Sequence, residues 1–161
     1  NSIPTITGNT ASRCDAGTVT ISANPSTGTV TWYDAPTGGT LLSTGTVYTT
    51  PSINTSTTYY AETTSAQGCI SARIPVVATV NTTPTVTSTT PASRCGGGSL
   101  LLNATASAGV LNWYDAATGG TYLGTTTSFA TPTLSSSQSY FVEASNNGCT
   151  SPATSRIIFV V

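Results

Sequence analysis

The stretch TVTWYDAPTGGTLL at 29–42 returns as VLNWYDAATGGTYL at 110–123. Around it the rest of the chain repeats as well. SRC at 12–14 comes back at 93–95, YYAET at 59–63 as YFVEA at 140–144, and GCIS at 68–71 as GCTS at 148–151. The offset holds at about 81 residues from the Arg-Cys to the Glu and slips by one at the Gly-Cys turn, a length change typical of a hairpin loop. One unit is therefore written out twice, as residues 1–81 and 82–161. The joint, VNTTP at 80–84, lacks a Gly or Ser run and reads as short and fairly stiff.

Within each copy the apolar residues recur at period two, the spacing of a strand with one buried face. Val19, Ile21 and Ala23 alternate with Thr and Ser, and Leu100, Leu102 and Ala104 take the same places in the second copy. Val30 and Trp32 match Leu111 and Trp113. Tyr48 matches Phe129, Ile53 matches Leu134, and Tyr59 with Ala61 matches Tyr140 with Val142. Turn chemistry lies between these strands, at 24–28, 34–39 and 65–68. Substitutions between the copies keep one face apolar and vary the other. The expected fold is all-β, two tandem immunoglobulin-like antiparallel sandwiches. A Ser/Thr content of about a third suggests a mucin-like stalk, but a stalk has no use for alternating Trp, Tyr, Val and Ile.

The run SRC…GTVTI…TWYDAPTGGTLL…TTYYAET…GC resembles the immunoglobulin-like modules of large secreted and cell-surface proteins of Bacteroidetes, including gliding-type adhesins and cargo of the type IX secretion route. The resemblance spans nearly the whole chain, twice, and its most specific part is WYDA-x-TGG. It implies a seven-strand-type sandwich used outside the cell as a spacer or adhesive unit, and it implies no particular ligand.

Charged residues make up 6% of the chain, with four cations, all Arg, and no His or Met. Four scattered arginines at a net charge of −1 cannot supply the cationic stripe that phosphate contacts need, which excludes nucleic acid as a main partner. No apolar run approaches the ~18 residues of a membrane-spanning helix, so no membrane insertion is expected. Without His or Lys, no base stands ready to activate a Ser or Thr nucleophile. A carboxylate pair could serve a glycosidase, but Asp34 and Asp115 sit at turn mouths where capping the local backbone is the plainer role. Glu62 can pair with Arg73 across the hairpin; Arg156 lies further from its Cys than Arg73 does from its own. The acids, Asp15 included, are too spread for calcium, and Lys–Asn cross-links are impossible without Lys. No enzyme activity, cofactor or metal is expected.

Cys14, Cys69, Cys95 and Cys149 fall two to a copy. Their spacing and the lack of His argue against zinc. Four cysteines permit three pairings, and repetition favours one bridge inside each module, which would stabilise it by ~4 kcal/mol. The alternative is free thiols, which an exported chain seldom keeps. Bridging within a module needs the N-terminal segment to run beside the last strand. The expected compartment is extracellular, at the bacterial surface. With no initiator Met and no signal peptide, the sequence reads as a piece of a longer mature chain.

One candidate ligand face remains. Tyr33 and Tyr60 should project from neighbouring strands with Glu62 close by, repeated as Tyr114, Phe141 and Glu143. Exposed aromatics beside a carboxylate can stack on a sugar or seat a protein. The plainer reading is a cross-strand aromatic pair that shields the sheet. Thr-x-Thr at 18–20 and 29–31 also fits an ice-facing array, though Thr is simply favoured in strands. The expected function is a spacer repeat of a surface adhesin, presenting a binding or catalytic domain. The expected partners are neighbouring domains of the same chain, with extracellular polysaccharide or surfaces as the alternative.

Overall fold

The computed structural model describes residues 2–151 and, by backbone alone, the strand 157–160. The chain divides into two compact units, Asn1–Asn81 and Thr82–Val161. No helix occurs among the described residues.

The first unit holds eight strands: β1 (Ile6–Asn9), β2 (Ala11–Cys14), β3 (Thr20–Pro25), β4 (Thr29–Tyr33), β5 (Leu41–Thr44), β6 (Val47–Thr49), β7 (Thr57–Thr64) and β8 (Ile74–Asn81). They form a three-stranded sheet, β1-β3-β6, and a five-stranded sheet, β2-β8-β7-β4-β5. The second unit holds β9 (Val86–Thr90), β10 (Leu101–Ala106), β11 (Val110–Tyr114), β12 (Tyr122–Thr125), β13 (Ser128–Ala130), β14 (Ser139–Asn146), β15 (Cys149–Thr150) and β16 (Ile157–Val160). Its sheets are β13-β10-β9 and β12-β11-β14, with β15 and β16 both paired to β14.

The period-two residues build the cores. In the first unit Val19, Ile21, Ala23, Val30, Trp32, Tyr59, Ala61, Val76 and Ala78 are buried between the sheets. Leu102, Ala104, Leu111, Trp113, Tyr140, Val142 and Ala144 do the same in the second. Both Trp side chains are 0% exposed. Burying an indole requires a partner for its N–H. Trp32 Nε1 donates to the Gly45 carbonyl at 2.8 Å and Trp113 Nε1 to that of Thr126 at 2.7 Å. Each Trp leads an aromatic stack: Trp32–Tyr48–Tyr59 at 5.8 and 5.1 Å, and Trp113–Phe129–Tyr140 at 5.3 Å for both steps. Burial raises the phenol pKa of Tyr48, Tyr59 and Tyr140, and the neighbouring Tyr59 adds to the shift at Tyr48.

The turns follow from backbone conformation. Gly28 (φ 93°) and Gly109 (φ 75°) lie in the region that disfavours side chains, and a Cβ there would strike the carbonyl oxygen of Thr64 or Ser145. The β3–β4 and β10–β11 connections therefore need glycine.

Candidate functional site

Tyr33 lies directly opposite Tyr60 across the β4–β7 ladder, and Glu62 opposite Thr31. In the second unit Tyr114 faces Phe141 and Glu143 faces Asn112. In each unit the three residues share one face of their own sheet, but they do not form an exposed platform. Tyr33, Tyr60, Glu62, Tyr114 and Phe141 are half-buried, and Glu143 is buried at 8% exposure.

The cover comes from the protein itself. The Arg73 guanidinium carbon stands 3.4 Å from the Tyr33 ring centroid, a cation–π contact across one face of the ring. Arg73 Nε donates to Glu62 Oε2 at 2.8 Å in an ion pair. Its Nη1 donates to the carbonyls of Ala35, at 2.9 Å, and Gly38, at 2.6 Å. The bond to Glu62 raises the Arg73 pKa further, with the Tyr33 ring contributing. One cation thus clasps the WYDAPTGG loop onto the sheet. In the second copy Tyr114 Oη donates to Glu143 Oε1 at 2.8 Å, and its ring meets Tyr122 edge-on at 5.9 Å. Arg156 lies outside the described residues. It immediately precedes Ile157, which pairs with Val142, as Arg73 precedes Ile74, which pairs with Ala61. Strand register thus makes it the counterpart that Cys spacing obscures.

Asp34 and Asp115 take the plainer role. Asp34 Oδ1 accepts from the Thr40 amide at 2.7 Å and Asp115 Oδ1 from the Thr121 amide at 2.6 Å, closing the TGG turn. These amide bonds hold both carboxyls below the ordinary carboxylate pKa. Each Oδ1 thus caps its own turn. No group of three or more His, Cys, Asp or Glu that could hold a metal occurs among the described residues.

The cysteines depart from the expected pairing. Cys14 and Cys149 are disulfide-bonded, whereas Cys69 and Cys95 carry free thiols. Neither repeat therefore carries the internal bridge expected of it. The reason is strand direction. The N-terminal segment does run beside the last strand, but β2 pairs with β8 in parallel, Ala11 opposite Ala78 and Cys14 opposite Asn81. Cys14 thus lies at the far end of β8, while Cys69 lies in the hairpin before Ile74. About 23 Å of strand separates those ends, against the ~4.4–6.8 Å between Cα atoms that a disulfide spans.

The arginine of SRC was not singled out as functional, and it has a structural task. Arg13 Nη1 donates to the Thr18 carbonyl at 3.0 Å and its Nε to that of Asp15 at 3.1 Å, with the guanidinium lying where a Cβ on Gly17 would be. Arg94 does the same with the Ser99 carbonyl, at 3.2 Å, and Gly98. The signal was present as an Arg followed by Gly four residues later in both copies.

Two β-sandwiches in tandem, each with its own core, define a chain of immunoglobulin-like or fibronectin-III-like modules. The family model described as "Ig-like domain CHU_C associated" matches residues 2–81 and again 82–161, and the chain belongs to this Bacteroidetes-associated family. Among solved structures, the chain is similar to the CbhA fibronectin(III)-like modules of Clostridium thermocellum, with TM-score 0.63 and 20% identity over 97% of this chain and 92% of that one. It is also similar to the I-band fragment I67-I69 from titin, with TM-score 0.52 and 15% identity over 99% of this chain and 65% of that one. No curated protein matches the chain by sequence. At these identities the likeness is one of fold. Modules of this kind are typically non-catalytic, and the tandem arrangement is consistent with a structural spacer or repeat. No helix among the described residues is long and apolar enough to cross a membrane.

Proposed function

We propose that the chain is a non-enzymatic spacer of an exported bacterial surface protein, a pair of modules that extends and presents a binding or catalytic domain. The observation that carries this reading is the repetition in series of a module that closes its own core, with Cys14 and Cys149 disulfide-bonded. A disulfide persists in an oxidising compartment, which favours a place outside the cytoplasm.

Single-molecule pulling tests this. The reduced chain should lengthen in two discrete steps, one per repeat and each of more than about 200 Å, given ~3.5 Å per extended residue. Gradual extension without steps would defeat the spacer reading. Retention assays on cellulose, chitin and xylan should show no binding that depends on Tyr33 or Tyr60, because Arg73 already occupies one face of Tyr33. Retention lost in Tyr33→Ala and Tyr60→Ala would instead favour a polysaccharide-binding module.

A further inference from the structure

We propose that the Arg94–Cys95 bond is a processing site, the place where an arginine-specific endopeptidase opens the folded chain. The chain has no Lys, so its four arginines carry every bond that an enzyme with an acidic primary pocket selects. Such an enzyme needs a segment it can draw out as an extended strand, and a guanidinium able to leave for its pocket.

Arg13 and Arg73 meet neither condition. Arg13 lies in β2, opposite Val80 in the ladder to β8. Its Nη1 is held by the Thr18 carbonyl and its Nε by that of Asp15. Arg73 is bound to Glu62, to the carbonyls of Ala35 and Gly38 and to the Tyr33 ring. The bond after it leads straight into β8, where Ile74 pairs with Ala61 and Pro75 with Tyr60.

Arg94 differs, although it stands in the same SRC motif. Residues 91–97 lie outside any strand, and Ser93, Arg94, Cys95, Gly96 and Gly97 are all exposed. Among the described residues its guanidinium makes one hydrogen bond, from Nη1 to the Ser99 carbonyl at 3.2 Å. An open cleft of about 240 Å³ runs beside the segment, lined by Arg94, Gly96, Leu134 and Ser136 among others, which leaves the backbone room to turn. Gly96, at φ 79°, stands where the first copy has Asp15, and glycine passes from that conformation to an extended one with little steric hindrance.

The cut leaves β9 on fragment 1–94 and β10 onward on fragment 95–161. Val86 and Ala92, which pack against the second core, go with the first fragment. β9 is then held in its sheet by the ladder to β10, from Thr90 opposite Asn103 to Val86 opposite Ala106. A strand built into the second repeat thereby becomes a docked one. The reaction consumes one water: its oxygen joins the Arg94 carbonyl carbon, the bond to the Cys95 nitrogen breaks, and that nitrogen takes up a proton. A carboxylate and a new amine result.

The test is limited proteolysis of the full folded chain, by trypsin and by an endopeptidase specific for arginine, read over time by reducing electrophoresis and mass spectrometry. The first cut should fall at Arg94–Cys95, at least ten-fold faster than any cut at Arg13, Arg73 or Arg156. Arg94→Gln should abolish it. Arg94→Lys should keep it for trypsin and lose it for the arginine-specific enzyme, which separates side-chain recognition from a change of fold. A first cut at any other arginine, a chain left uncut, or an Arg94→Gln chain opened as fast as the parent would overturn the proposal.

Discussion

The two repeats agree inside and differ at their edges. Trp32 and Trp113 occupy the same site, each donating to a backbone carbonyl thirteen residues on. Thr50 and Thr131 each accept from the start of the facing strand at 3.0 Å and donate onward to the carbonyl of the following proline. Ser71 and Ser151 accept from the amides of Thr63 and Ala144, also at 3.0 Å. At the edges, residues 11–14 form β2 alongside β8, whereas 92–94 lie outside any strand. Among the described residues, Glu62 pairs with Arg73 and Glu143 accepts from the Tyr114 phenol. Interior positions must fill a fixed volume and satisfy every buried polar group, so drift between copies is confined to places where water can compensate.

The comparison breaks most visibly at its shared centre. Trp32→Ala and Trp113→Ala should each destabilise their own repeat by about 3–5 kcal/mol, from lost burial and the cavity left behind. Denaturant titration with hydrogen exchange resolved to each repeat reads this out, and unequal losses would show that the cores are not equivalent. Gly28→Ala and Gly109→Ala should cost about 1–3 kcal/mol each, because a Cβ meets a carbonyl oxygen at positive φ.

The differing edges separate next. Tyr114→Phe should cost about 1 kcal/mol by leaving buried Glu143 without its phenol donor, an effect almost insensitive to salt. Arg73→Ala should destabilise the first repeat less than Gly28→Ala does. Its effect should shrink as salt rises, because part of what it removes is an ion pair near the surface. Equal salt dependence of the two variants would erase the distinction drawn between the faces.

The smallest effect is in pH and should be common to both repeats. Asp34 and Asp115 have carboxyl pKa values lowered on folding, so their contribution is complete above the unfolded value near 4 and is lost as pH falls through the folded value. Without His, thermal stability should stay nearly level from about pH 8 to 5 and decline only below about pH 4. Asp34→Asn should soften that acid decline in the first repeat alone.

Much of the site was legible because it is local. Asp34 closing its own turn follows from a carboxylate six residues before Thr40 in a Pro/Gly loop, and the Glu62–Arg73 pair follows from a hairpin. The cover over Tyr33 was not legible, since only the packed sheet shows Arg73 reaching across to the β4–β5 loop. The equivalence of Arg156 was hidden for a related reason: it stands seven residues after Cys149, against four from Cys69 to Arg73, and only the ladder register of Ile157 and Ile74 realigns the copies.

By itself the sequence determined that there are two modules, that both are β-sandwiches, and which residues fill them, because alternation at period two selects a face without reference to any other strand. Only the tertiary structure decided that Cys14 and Cys69 do not meet. That outcome turns on β2 running parallel rather than antiparallel to β8, and the pattern of residues 11–14 does not fix their direction. A reversal that leaves every side chain on the same face moves Cys14 from one end of the sandwich to the other.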